Sequence, residues 1–191
     1  MNLFVLGVGV KAAAEAHGDK HVVKMLLEAC QMLYTAHWTS IYPSILNKRP
    51  GYLSLPEHMK DAPNRKEGVP GFRPAHINHP CTKWIRARLG NYEWAAKLAI
   101  ALADEYEFRW PGRIHSCKVH AEWLAKNIPP GISRLPRIDF AVAMDDVYKV
   151  GANPIASYRN YYIRSKATKG LTVYTRRNSP TWLLVDEPAL A

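Results

Sequence analysis

Apolar residues along this chain recur mostly at three- and four-residue intervals, the spacing of helices, and nowhere sustain convincing strand alternation. The clearest case is residues 18–38, GDKHVVKMLLEACQMLYTAHW, with Asp19 as the expected N-cap. Val22, Val23, Met25, Leu26, Leu27, Ala29, Cys30, Met32 and Leu33 cover most faces of that helix, which predicts a central place in the fold. His21, Lys24, Glu28, Gln31 and Thr35 interrupt the apolar surface within an arc of roughly 80°. Such a narrow stripe must face solvent, a partner or a cleft.

The same pattern predicts a short helical turn at 11–17, stopped at Gly18. A helix opens at Pro80, capped by Asn78 or His79, and runs to Leu89, with Gly90 ending it. Asn91 then caps a helix from Tyr92 to Trp110 whose buried side carries Trp94, Leu98, Leu102 and Tyr106. Ser116 caps another to Asn127, and Asn153-Pro154 opens a last pair through Lys166 towards Arg177. Residues 2–10 read as a short strand or an extended arm, and 138–143 have room for a second strand. Residues 39–79 carry Pro43, Pro50, Pro56, Pro63, Pro70 and Pro74 and read as a long irregular loop. The expected fold is mainly α: a single compact helical domain spanning 1–191, built around a central buried helix, with little or no sheet. The GVGVKA stretch formally matches a dinucleotide fingerprint, but the acidic residue such a site needs falls inside the helix, at Glu28.

Composition narrows the partners. A hydrophobic content of 48% excludes a disordered chain, and a net charge of +10 favours a polyanion, nucleic acid before membrane. The apolar run LFVLGVGV is far short of the roughly 20 residues that span a bilayer, and no basic segment precedes it. The expectation is an unsecreted, cytoplasmic protein with no membrane association and no obligate protein partner. Cys30, Cys81 and Cys117 form no C-x-x-C pair, and Cys30 reads as core filler. His17 with His21, and His76 with His79, have metal-compatible spacings, yet neither pair sits in an H-E-x-x-H arrangement. No metal and no cofactor are expected.

Charge sign then singles out the C-terminal segment, 148–185. It has no acid between Tyr148 and Val185, while Arg159, Arg164, Lys166, Arg176 and Arg177 accumulate among Tyr158, Tyr161, Tyr162, Tyr174 and Trp182. Cations release counterions from phosphates and aromatic rings stack on bases, so this segment reads as a nucleic-acid surface. Tyr158 and Tyr162, four residues apart, equally suit core packing.

Asp19-Lys20-His21 followed by Glu28 resembles the pyrimidine-dimer DNA glycosylase family of phage endonuclease V type, in which Asp-x-His opens a helix and a glutamate follows seven residues after the histidine. HINHP at 76–80, EYEFRW at 105–110 and SPTW at 179–182 resemble further stretches of that family and its cellular relatives, in the same order. The resemblance implies a small all-α enzyme acting on duplex DNA, in which an amine attacks C1′, an imine forms and the 3′ phosphate is eliminated. It implies Glu28 as acid–base group, with His21, Gln31 and His79 against DNA. The amine would be the chain terminus at Met1, since an α-amino group with a reference pKa of about 8 is partly unprotonated at neutral pH, or else Lys24. Leu27 and Gln31 stand where the family places phosphate-holding arginines, so a different modified base, including that of a viral DNA-modifying enzyme, fits equally. A non-catalytic nucleic-acid-binding module is the remaining alternative.

Overall fold

The computed structural model describes residues 2–47, 53–66 and 68–184. Six α-helices carry the fold: α1 (Val10–Glu15), α2 (Asp19–Ile41), α3 (Pro80–Ala87), α4 (Leu89–Arg109), α5 (Lys118–Lys126) and α6 (Pro154–Tyr161). The mainly helical expectation holds. The hub, however, is α4, which packs against α1, α2, α3 and α5. Leu98 and Leu102 are fully buried on it, whereas Trp94 and Tyr106 are half-buried. Steps of four residues overshoot the helical turn by roughly 40° each, so a run of three such steps rotates its ends out of the core.

The long helix α2 is less enclosed than its composition suggests. Lys20, Val23, Lys24 and, half-buried, Leu27 and Gln31 form an outward arc, and Val23 is 39% exposed. The helix begins after Gly18 rather than on a capping Asp19. The Asp19 carboxylate is taken instead by the backbone N–H and hydroxyl of Thr175 and by Arg109. Gly18 is required by packing, since a Cβ there would lie 2.3 Å from the carbonyl oxygen of Leu171.

Asn91 does not cap α4 and Gly90 does not end α3. The first N–H groups of α4 are satisfied from outside the helix: Leu89 donates to Ser133 O at 2.7 Å and Gly90 to Leu135 O at 3.3 Å. That close approach explains the glycine, because a Cβ at Gly90 would sit 2.3 Å from the Arg137 nitrogen. Asn91, fully buried, donates to Trp84 O and accepts from the Ile138 N–H, which ties α3 to the segment that follows α5 and carries Pro129, Pro130 and Pro136. At the start of α3 the His79 ring accepts the Cys81 N–H at 3.2 Å. α5 starts from Cys117 rather than Ser116.

No helix reaches Arg177. After α6 the chain widens into a π turn (Tyr162–Lys166), tightens into a 3-10 turn (Ala167–Lys169) and stops at Gly170, whose φ of +63° is left-handed. Residues 171–175 then run along the start of α2, where Asp19 donates its N–H to Val173 O and Tyr174 donates its hydroxyl to Ala16 O. Among the described residues the only sheet is a hairpin of β1 (Asn64–Lys66) and β2 (Val69–Pro70), inside the long loop and not at 2–10 or 138–143. That loop also holds 3-10 turns at Pro43–Leu46 and Glu57–Met59.

Residues 2–6 form an unpaired extended arm, entirely buried. Phe4 anchors it among His21, Tyr158 and Tyr162, with ring centroids 5.1–5.9 Å apart. The arm therefore fills the space between α2 and α6, and it covers part of the polar stripe of α2. No helix among the described residues is long and apolar enough to cross a membrane.

Candidate active site

The arm covers Glu28 and His21, and the long loop covers Thr35. Glu28, 6% exposed, accepts the backbone N–H of Asn2 on Oε2 at 2.7 Å. His21 meets the hydroxyl of Tyr162 through Nδ1 at 2.5 Å. Thr35 exchanges hydrogen bonds with the backbone of Ala75 at 3.0 and 3.1 Å. Lys24 and Gln31 stay on the outward arc, and the Lys24 ammonium lies 3.7 Å from Glu28 Oε1 with its side chain 67% exposed. The stripe is thus half buried seam and half accessible edge, with Glu28 at the boundary.

Asn2 is the organising residue of this seam. Its side chain donates to Ala143 O at 2.8 Å, while its Oδ1 faces the Leu3 N–H, the Tyr158 hydroxyl at 3.0 Å and the Cys81 thiol at 3.6 Å. Burial raises the Cys81 thiol to about 11, which keeps it protonated as a donor. Residue 2 is thereby held against α2, α3 and α6 at once. Buried polar groups need such complete pairing, since each unmet bond costs on the order of 1–3 kcal/mol.

Burial lowers the His21 pKa to about 4, and the charges of Lys166 and Lys24 push the same way. The ring is neutral, and its Nδ1 shares a hydrogen bond with the Tyr162 hydroxyl. Burial likewise holds His17 at about 3 and His37 at about 3. All three fold neutral, whereas in the unfolded chain each takes up a proton near its ordinary value of 6.5. The unfolded state therefore binds more protons below that pH, and stability is expected to fall steadily as pH drops from 6.5 towards 4. The slope approaches about 1.4 kcal/mol per pH unit for each histidine. Urea denaturation at stepped pH reads it; a flat profile over that window would show that these rings are not buried neutral.

The other residues singled out in the sequence are distributed around the arm. His79 caps α3, two residues before the thiol that reaches Asn2. Lys166 donates to the Tyr161 hydroxyl at 2.9 Å and lies over the Phe4 ring. Arg159 donates through Nε to Leu6 O at 3.0 Å and lies over Trp182. Arg164 is exposed and donates to Val147 O. Arg176 is exposed, while Arg177 is engaged by both carboxylate oxygens of Glu105 at 2.6 Å. Met1 lies outside the described residues. Comparison with family models, with curated protein sequences and with solved structures finds no match.

Two features of the site escape a reading by residue type. Asn2 carries no chemical signature, and its role arises only from four partners distant in sequence. Arg109 is 1% exposed and joins Glu105, Asp19 and the Glu15 carbonyl, which locks α1, α2 and α4 to the C-terminal segment. Glu105 and Arg109 continue the phase of Leu98 and Leu102, so two charges in step with an apolar face were the available signal. Cys30 is fully buried and donates its thiol to Cys117 O. Among the described residues no group of three or more His, Cys, Asp or Glu is placed to hold a metal ion.

What this arrangement offers is a carboxylate at the edge of a buried seam, a primary amine 3.7 Å from it, and two cations, Lys24 and Lys166, whose charges reach His21. A carboxylate and a primary amine at this separation are groups able to exchange a proton.

Proposed function

We propose that the chain is a DNA-acting enzyme of glycosylase or abasic-site lyase type, with Glu28 as its acid–base group. The observation that carries the reading is the 2.7 Å hydrogen bond from the Asn2 N–H to the Glu28 carboxylate. It sets the acid one residue from the Met1 amine in sequence, with the Lys24 amine 3.7 Å away. An amine that attacks C1′ of an abasic sugar forms a C–N bond and, on loss of water, an iminium. Glu28 then accepts a C2′ proton, the C3′–O bond breaks and the 3′ phosphate leaves with its electron pair. The basic residues around the arm supply the counter-charge for the strand.

Borohydride trapping tests this reading. The protein is incubated with a duplex containing one abasic site, reduced, digested and mapped by mass spectrometry. The expected product is a cross-linked peptide bearing the sugar on Met1 or Lys24. Salt-dependent binding of the same duplex without any cross-link would overturn the imine step.

A further inference from the structure

A second site stands apart from Glu28. A cleft of about 800 Å³ opens between the arm with α1 on one side and the C-terminal segment on the other, with Arg159 of α6 projecting into it. Arg159, Arg176 and Arg177 share its walls with Tyr174 and Trp182, and among the described residues Glu15 is the only acid of the lining. Glu15 and Arg177 neutralise one another at 3.4 Å, and Glu105 further occupies Arg177. Among the described residues, the cations of the lining that pair with no carboxylate are therefore Arg159 and Arg176.

Arg159 is prepared for an anion. Its Nε is fixed by Leu6 O and its guanidinium carbon lies 5.2 Å from the Trp182 ring centroid, so the side chain is held from two directions. This leaves the terminal nitrogens, the pair that forms parallel bonds to phosphate oxygens, directed by a group that no longer has to be ordered. Arg176 sits at φ +57°, a left-handed backbone that non-glycine residues rarely adopt. Its side chain is exposed at the cleft, with the guanidinium carbon 5.8 Å from the Phe108 ring centroid. Trp182 and Tyr174 add half-buried ring surface, and the volume lies in the range of small-ligand sites.

We infer that this cleft binds one nucleotide unit, with its phosphate at Arg159 and Arg176 and its base against Trp182. The same chemistry is presented by a free nucleoside monophosphate and by the phosphorylated end of a single strand. The cleft lining includes neither Glu28 nor Lys24, so the inference stands independently of imine chemistry.

Calorimetric titration of the whole protein decides it, using deoxynucleoside monophosphates, thymidine, inorganic phosphate, and a tetranucleotide with either a 5′-phosphate or a 5′-hydroxyl. A nucleotide is expected to bind at least about tenfold more tightly than thymidine or phosphate alone. Arg176→Asn, which keeps a residue tolerant of positive φ, and Trp182→Leu should each weaken that binding by about tenfold, with unliganded melting of the asparagine variant unchanged. Binding of the monophosphates identifies a free nucleotide; binding confined to the 5′-phosphorylated tetranucleotide identifies a strand end. Phosphate binding as tight as nucleotide binding, wild-type affinity in the Arg176→Asn protein, or no binding of any probe would overturn the site.

Discussion

Glu28→Gln is expected to slow strand cleavage at an abasic site by about 10²–10⁴-fold, the usual worth of a positioned acid–base group. The substitution isolates chemistry from folding. A glutamine Oε1 still accepts the Asn2 N–H that Glu28 accepts at 2.7 Å, so the arm keeps its anchor, but an amide does not take up the C2′ proton. Glu28→Ala is a poorer probe, because it leaves that buried N–H without an acceptor, at a cost of about 1–3 kcal/mol. Single-turnover cleavage of a duplex with one abasic site gives the rate, and fluorescence anisotropy gives the affinity. Wild-type cleavage by a folded Glu28→Gln protein would remove Glu28 from the chemistry altogether.

Arg109→Met carries the largest expected effect on stability, a loss of about 3–5 kcal/mol, equivalent to a melting temperature lower on the order of 10 °C. Methionine fills the volume of the side chain but strands the acids that Arg109 serves. Glu105, at 2.7 Å, is itself 4% exposed and keeps only Arg177, while Asp19 at 2.9 Å keeps only Thr175. Burial alone would raise the Asp19 pKa, and the hydrogen bonds from Thr175 and Arg109 overcome it and hold the carboxyl low. The depressed carboxyl adds stability that is present above the unfolded carboxylate range of about 3.9 and is lost as pH falls through the folded value. In Arg109→Met that acid dependence should shrink along with the midpoint. A denaturant midpoint within about 1 kcal/mol of wild type would show that the network is incidental to folding.

How much of this was legible beforehand depended on how local the cause was. Helices α2, α3, α5 and α6 declare themselves through apolar spacing and through the prolines at N1 of α3 and α6, and the structure moves their ends by only a few residues. The capping asparagine of α6 was legible for the same reason, since Asn153 serves the Ala156 N–H three residues on. Asn91 and Gly90 misled because their signals are the same ones, yet Asn91 bonds Trp84 on the preceding helix and Ile138, and Gly90 packs on Arg137, the last two far along the chain. Lys166 to Arg177 misled in the opposite way. Its residues tolerate a helix, but Gly170 turns left-handed and the segment finds better partners along α2.

The sequence by itself determined a basic, mainly helical protein with an acid, an imidazole and an amine on one helix stripe, because spacing and composition act over a few residues. Only the tertiary structure decided which of them meet. Phe4 and Asn2 draw the arm across His21 and Glu28, Ala75 of the long loop covers Thr35, and Lys24 is left in solvent. It also decided that Arg177 closes an internal ion pair while Arg159 is left facing a cleft. Such outcomes rest on contacts between residues as far as 158 positions apart, as between Ala16 and Tyr174. No local pattern encodes them, since each depends on where every other element has packed.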